Sequence, residues 1–87
     1  MKILVVCGNG LGSSFMMELN VKKALLELGK EAEVTHTDLT SATSEKADIY
    51  IGAGDIIDQL DNGVRKIARI VNMMSIPEIK GKLAPLL

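Results

Sequence analysis

The sequence predicts an α/β domain: one open, four-stranded parallel sheet flanked by helices, with a cysteine-led, glycine-rich loop after the first strand. Three observations carry this. Ile3 to Val6 is aliphatic without alternation, as in a strand covered on both faces. Strand-like runs then alternate with helix-like patterns, which implies right-handed crossovers in a parallel sheet. Between the first run and the first helix lies Cys7-Gly8-Asn9-Gly10-Leu11-Gly12-Ser13-Ser14, a turn in which every second residue from 8 to 12 is glycine.

The elements follow in order. After the turn, Met17, Val21, Ala24 and Leu28 recur at helical spacing, and Glu18, Lys22, Lys23 and Glu27 fall mainly on the other side. Gly29 supplies the stop. Glu31 to Thr37 alternates weakly through Ala32, Val34 and His36, a second strand. Residues 38–46 are polar and turn-prone, with room for a short helical piece. "ADIYIGAG" at 47–54 is a third strand running into glycine, and "DIIDQLDNG" holds a short helix closing at Asn62-Gly63. The apolar spacing from Lys66 to Val71 suits helix or strand. It is assigned as strand four, because Asn72 and Ser75 then form a loop at the same end as Cys7. Pro77 suits the first turn of a last helix over about 76–86, which Gly81 weakens.

Composition narrows the classes. The chain has 87 residues, 47% of them hydrophobic, yet Phe15 and Tyr50 are its only aromatics, so its core must be aliphatic. That is one domain, residues 1–87, with enough chain for a single core. A net charge of −1 offers no basic footprint for nucleic acid. A lone cysteine forms no internal disulfide and implies no oxidising compartment. No apolar run is long enough to span a bilayer and no signal peptide pattern is present, so a cytoplasmic location without membrane insertion is expected. His36 is the single histidine, so a metal cluster would have no histidine partner for it, and no metal or cofactor is expected. Met16-Met17 and Met73-Met74 read as core or rim packing, and Asp55, Asp58 and Asp61 as a solvated helical face.

In open parallel sheets ligands bind beyond the carboxyl ends of the strands. The predicted order places Cys7, Thr37-Asp38, Gly52-Ala53-Gly54-Asp55 and Asn72-Met73 around one crevice. A strand, a glycine-rich turn and a helix start make an anion site, in which successive N–H groups point inward and the helix end adds partial positive charge. The same field lowers the pKa of a thiol at its head and favours the nucleophilic thiolate. Cys7 is therefore the candidate nucleophile, with Gly8, Asn9, Gly10, Leu11, Gly12, Ser13 and Ser14 as the phosphate cradle; buried small-residue packing is the competing role for Cys7, and helix capping for the serines. Thiol phosphatases and arsenate reductases share a Cys-x5-Arg clamp, but the sixth position after Cys7 is Ser13, and no arginine precedes Arg65. Such a cradle accepts phosphate and hydrolyses it slowly. A phosphoryl carrier, an arginine-less phosphatase relative and a non-catalytic anion-binding module all fit the residues.

"KILVVCGNGLGSS" resembles the start of phosphotransferase-system IIB components, and "ADIYIGAGDI" and "VNMMS" look like later strands of the ascorbate-type (lactose/ascorbate) branch. The resemblance spans essentially the whole chain. It implies a relay: Cys7 takes phosphate from a phosphorylated IIA component and passes it to a sugar bound by a membrane IIC component, docking at the inner membrane face. It also puts Glu18 and Lys22 near the helix face that meets partners. Mannitol-type loops resemble Cys-x-x-Gly-x-Gly-Ser-Ser too, so the loop leaves ascorbate, galactitol and mannitol open.

Overall fold

The computed structural model describes residues 1–7, 11–63, 65–72 and 74–87, and for 7 and 11–14 the backbone alone. The chain runs β1 (Lys2–Cys7), α1 (Leu11–Leu28), β2 (Glu33–Asp38), α2 (Leu39–Ala42), β3 (Ile49–Ala53), α3 (Gly54–Ile57), a 3-10 turn (Asp58–Leu60), β4 (Ile67–Ile70), α4 (Ile76–Leu83) and a closing 3-10 turn (Ala84–Leu86). The strands form one sheet in the order β2-β1-β3-β4, every pair parallel. The segment whose apolar spacing suited helix or strand is β4.

The unbroken aliphatic run of β1 is explained by two cores. Ile3 and Val5 pack with Met17, Val21, Ala24 and Leu25 of α1 and with Ile79 and Leu83 of α4. Leu4 and Val6 pack on the opposite face with Ala42, Tyr50, Ile57 and Leu60. β1 and β3 are central strands, so nothing on either face is left for water. β2 is an edge strand and alternates, with Val34 buried and Glu33, His36 and Asp38 exposed.

The second layer rests on very short helices, and polar contacts reinforce it. The Tyr50 hydroxyl donates to the Glu45 carbonyl at 2.6 Å and accepts from the Ala47 N–H at 3.2 Å. Arg65 lies 5.3 Å from the ring centre and donates to the carbonyls of Leu60 (3.0 Å) and Thr43 (3.2 Å). One side chain thus ties three connecting segments together. On the first layer, Gly29 ends α1 at φ +70°, the left-handed conformation a glycine adopts without strain, and the Lys30 N–H closes onto the Leu25 carbonyl.

Candidate active site

Parallel pairing puts all four strand carboxyl ends on one edge. β1 ends at Cys7 directly opposite Asp38, the last residue of β2. On its other side Val6 pairs with Gly52 of β3, and Ala53 pairs with Ile70 of β4. From β1 the chain crosses one face of the sheet to reach β2, then the other face to reach β3. The connections therefore diverge between β1 and β3, and a crevice opens where such sheets bind ligands. Cys7 ends one wall of it, and Gly54 begins the other.

Several side chains shape this edge. Gly52 brings β3 close to the peptide before Cys7: a Cβ there would stand 2.5 Å from the Val6 carbonyl oxygen. Asp38 lies beside Cys7 in the register, but its carboxylate accepts the Ser41 N–H at 2.7 Å and caps α2. That backbone bond, with a second from the Ser41 hydroxyl, holds its pKa below the ordinary carboxylate value. Arg69 lies across Gly54 and binds both carboxylate oxygens of Asp58.

The helix that follows β1 starts at Leu11, so Gly12, Ser13 and Ser14 occupy its first turn rather than preceding it. An 18-residue helix thus presents its positive end close after Cys7 in the chain. Gly8, Asn9 and Gly10 lie outside the described residues, as do the side chains of Cys7, Leu11, Ser13 and Ser14. Met73 lies outside as well. Thr37, Ala53, Asp55 and Asn72 stand at the same edge as Cys7.

One expectation changes. Glu18, placed with Lys22 on a partner-facing surface, is 9% exposed and turned inward, its carboxylate 3.1 Å from Nδ1 of His36. Lys22, by contrast, is exposed and approaches Glu18 only at 3.9 Å. Asp55, Asp58 and Asp61 are all exposed, as expected of a solvated face, and Asp58 pairs there with Arg69. Of the methionines, Met17 is core whereas Met16 and Met74 are exposed.

Glu78, which apolar periodicity does not single out, also shapes this edge. Its carboxylate accepts the N–H groups of Val71 (2.6 Å) and Asn72 (3.1 Å), pinning the segment after β4, while its own N–H donates to Ser75 Oγ. The signal was legible: Ser75-Ile76-Pro77-Glu78 has capping-box spacing. The box is not reciprocal, because the Ser75 N–H already donates to the Asn72 carbonyl and Glu78 reaches past it.

Among the described residues, no cluster of three or more His, Cys, Asp or Glu is arranged to hold a metal ion, and no helix is long and apolar enough to cross a membrane. The family model for the lactose/cellobiose-specific IIB subunit of the PTS system matches residues 2–84. The chain is 33% identical over 88 aligned positions to the ascorbate-specific PTS system EIIB component of Mycoplasma pneumoniae, covering 98% of this chain and 93% of that protein.

Proposed function

Because this chain belongs to the lactose/cellobiose-specific IIB family of the phosphotransferase system, we propose that it is a cytoplasmic phosphoryl carrier in which Cys7 is the phosphorylated residue. The observation that carries the reading is the position of the chain's one cysteine, at the end of central strand β1 where the crossovers diverge. In the first step the Cys7 thiolate attacks the phosphorus of a phosphohistidine on the IIA donor. The S–P bond forms as the N–P bond breaks, and the imidazole leaves with the electron pair and takes up a proton. In the second step a hydroxyl of the sugar held by the membrane IIC component attacks the same phosphorus. The S–P bond breaks, the thiolate is restored, and the hydroxyl proton passes to a base.

The amides of residues 8 to 14 serve as the cradle in this reading, with the start of α1 favouring thiolate before transfer and phosphoryl oxygens after it. No arginine occupies position 13, so the phosphocysteine lacks a bidentate clamp and persists long enough to meet the acceptor. Ascorbate is the proposed sugar, on the name of the Mycoplasma relative.

The test is loading from a phosphorylated IIA component, followed by intact-mass analysis and then delivery to membranes carrying IIC. One phosphate per chain is expected, absent from Cys7→Ala and passed on to ascorbate. A Cys7→Ser protein that still takes up a full equivalent on another side chain would overturn the assignment. Steady release of inorganic phosphate from a chromogenic ester would indicate the phosphatase instead.

A further inference from the structure

The segment after β4 is held at more points than its exposure requires. Asn72 is exposed, yet its N–H donates to Glu78 at 3.1 Å and its carbonyl accepts the Ser75 N–H at 3.1 Å. Its side-chain Oδ1 accepts the Met74 N–H at 3.0 Å, and the other oxygen of Glu78 takes the Val71 N–H at 2.6 Å. Water would satisfy each of these groups at an exposed position, so pairing alone does not call for the set. The set fixes one side chain. With Oδ1 bonded to the chain, the amide plane is oriented and its NH2 group is left over, without a partner among the described residues. That group carries two hydrogen-bond donors.

The sheet gives the NH2 group a target. Val6 pairs with Gly52 and Ala53 with Ile70, so Cys7, Ala53 and Ile70 stand level on adjacent strands. Two strand spacings, about 9.5 Å, separate the first from the last. Beyond Ile70 the chain turns back toward β1. The Met74 sulfur lies 3.8 Å from the Asn20 amide on α1, and α1 packs over Ile3 and Val5 of β1. Asn72 lies between Ile70 and that contact, past the strand ends and on the side of the sheet that α1 covers.

We infer that the Asn72 amide donates a hydrogen bond to the phosphoryl group carried by Cys7, and that Glu78 is the positioning residue that holds Asn72 for it. The inference rests on the carrier reading above. A phosphoryl group bound to sulfur stands clear of the strand end, is anionic, and offers three acceptor oxygens. A neutral amide suits a carrier. Its bond is strengthened by the charge of the anion, but it brings neither the positive charge nor the forked geometry of a guanidinium. It orients the phosphoryl group while leaving hydrolysis slow.

The experiment uses the full chain, under conditions where denaturant unfolding shows each variant to be folded, and measures loading from a phosphorylated IIA component. Asn72→Asp keeps the oxygen that accepts the Met74 N–H and replaces only the NH2 group, so it separates the hydrogen-bond donor from the turn. It should load about tenfold to a hundredfold more slowly, the worth of one hydrogen bond to a charged group. It should also be at least as slow as Asn72→Ala, because the new carboxylate repels the phosphoryl group. Normal loading by Asn72→Asp with slow loading by Asn72→Ala would reduce Asn72 to a turn residue and overturn the proposal. Glu78→Ala should slow loading in the wild-type background, add little to Asn72→Asp, and be partly rescued by Glu78→Gln, which retains an acceptor. Equal slowing in both backgrounds would show that Glu78 acts on the fold alone and overturn its assignment. Inorganic phosphate separates the two readings. Added to Cys7→Ser, it should shift the Asn72 side-chain amide signals in a 15N spectrum, and Asn72→Asp should weaken its binding. If wild type never loads at Cys7 yet both phosphate effects appear, the carrier reading fails and Asn72 stands as an anion-binding residue. If loading proceeds and Asn72→Asp changes neither loading nor phosphate binding, Asn72 fails and the carrier reading stands.

Discussion

A single missing Cβ governs the approach of the two central strands beside Cys7. At Gly52 any side chain meets the Val6 carbonyl at 2.5 Å, and the obstacle is backbone of a buried strand that has no room to retreat. Gly52→Ala is therefore expected to lower stability by about 1–3 kcal/mol, the usual cost of overpacking a core. Because the displaced peptide precedes Cys7, loading should slow as well. Denaturant unfolding and the loading rate check the two effects, and an unchanged midpoint would refute the clash. Asp38 stands at the same edge, opposite Cys7. Its pKa is depressed in the folded state by the Ser41 bonds, so its contribution is present above the ordinary value of 3.8 and is lost as pH falls through the lower folded value. Asp38→Asn keeps an oxygen for the cap but does not titrate there. Its acid unfolding curve should be flatter than that of wild type below pH 3.8, and parallel curves would exclude the linkage.

At the scale of elements, the helices divide by how they are stabilised. α1 buries Met17, Val21, Ala24 and Leu25 against the sheet and needs little else. α4 has eight residues, buries Ile79 and Leu83, and draws on an N-cap from Ser75 and lysines in its last turn. Gly81 sits in it with open space where a Cβ would go. Replacing it by alanine removes the entropic penalty of glycine without a clash. A gain of about 0.8–1 kcal/mol is expected in equilibrium unfolding, with loading unaffected. A loss of stability there would mean that the exposed face of α4 carries a contact of its own. The Glu27–Lys80 ion pair between α1 and α4, at 3.1 Å, is exposed and contributes little beside this packing.

For the whole molecule, the decisive property is what happens to a phosphoryl group once held. A relay must keep its phosphocysteine from water until the acceptor arrives, so slow hydrolysis is part of the work. Ser13→Arg restores the Cys-x5-Arg spacing and adds a charge-assisted bidentate donor in the first turn of α1. Transition-state contacts of this kind accelerate reactions by roughly a hundredfold or more per donor. The variant should therefore either lose phosphate to water at least tenfold faster or fail to load because the side chain crowds the turn. The measurement is decay of the loaded protein after the donor is removed. Full loading, unchanged decay and normal delivery together would show that the arginine is not what divides carrier from phosphatase.

Much of this architecture was readable along the chain, because it depends on local patterning. Ile3 to Val6 had to be covered twice, Met17 to Leu28 had to bury one side, and a thiol before three glycines marked the edge where a ligand would approach. The element limits moved by a residue or two, as at β2, which begins at Glu33 and ends at Asp38, because pairing with β1 rather than propensity sets strand ends. Contacts between distant segments were different. Glu18 carries helical spacing that suits a solvent face, but only the seating of α1 over β2 turns it onto His36. Arg69 finds Asp58 because β4 lies beside β3, and Glu78 closes on Val71 and Asn72 because α4 folds back over its own strand. Periodicity determines which side of an element is apolar. Which partner meets its polar side depends on the order of strands in the sheet, and that order is a property of the packed chain alone.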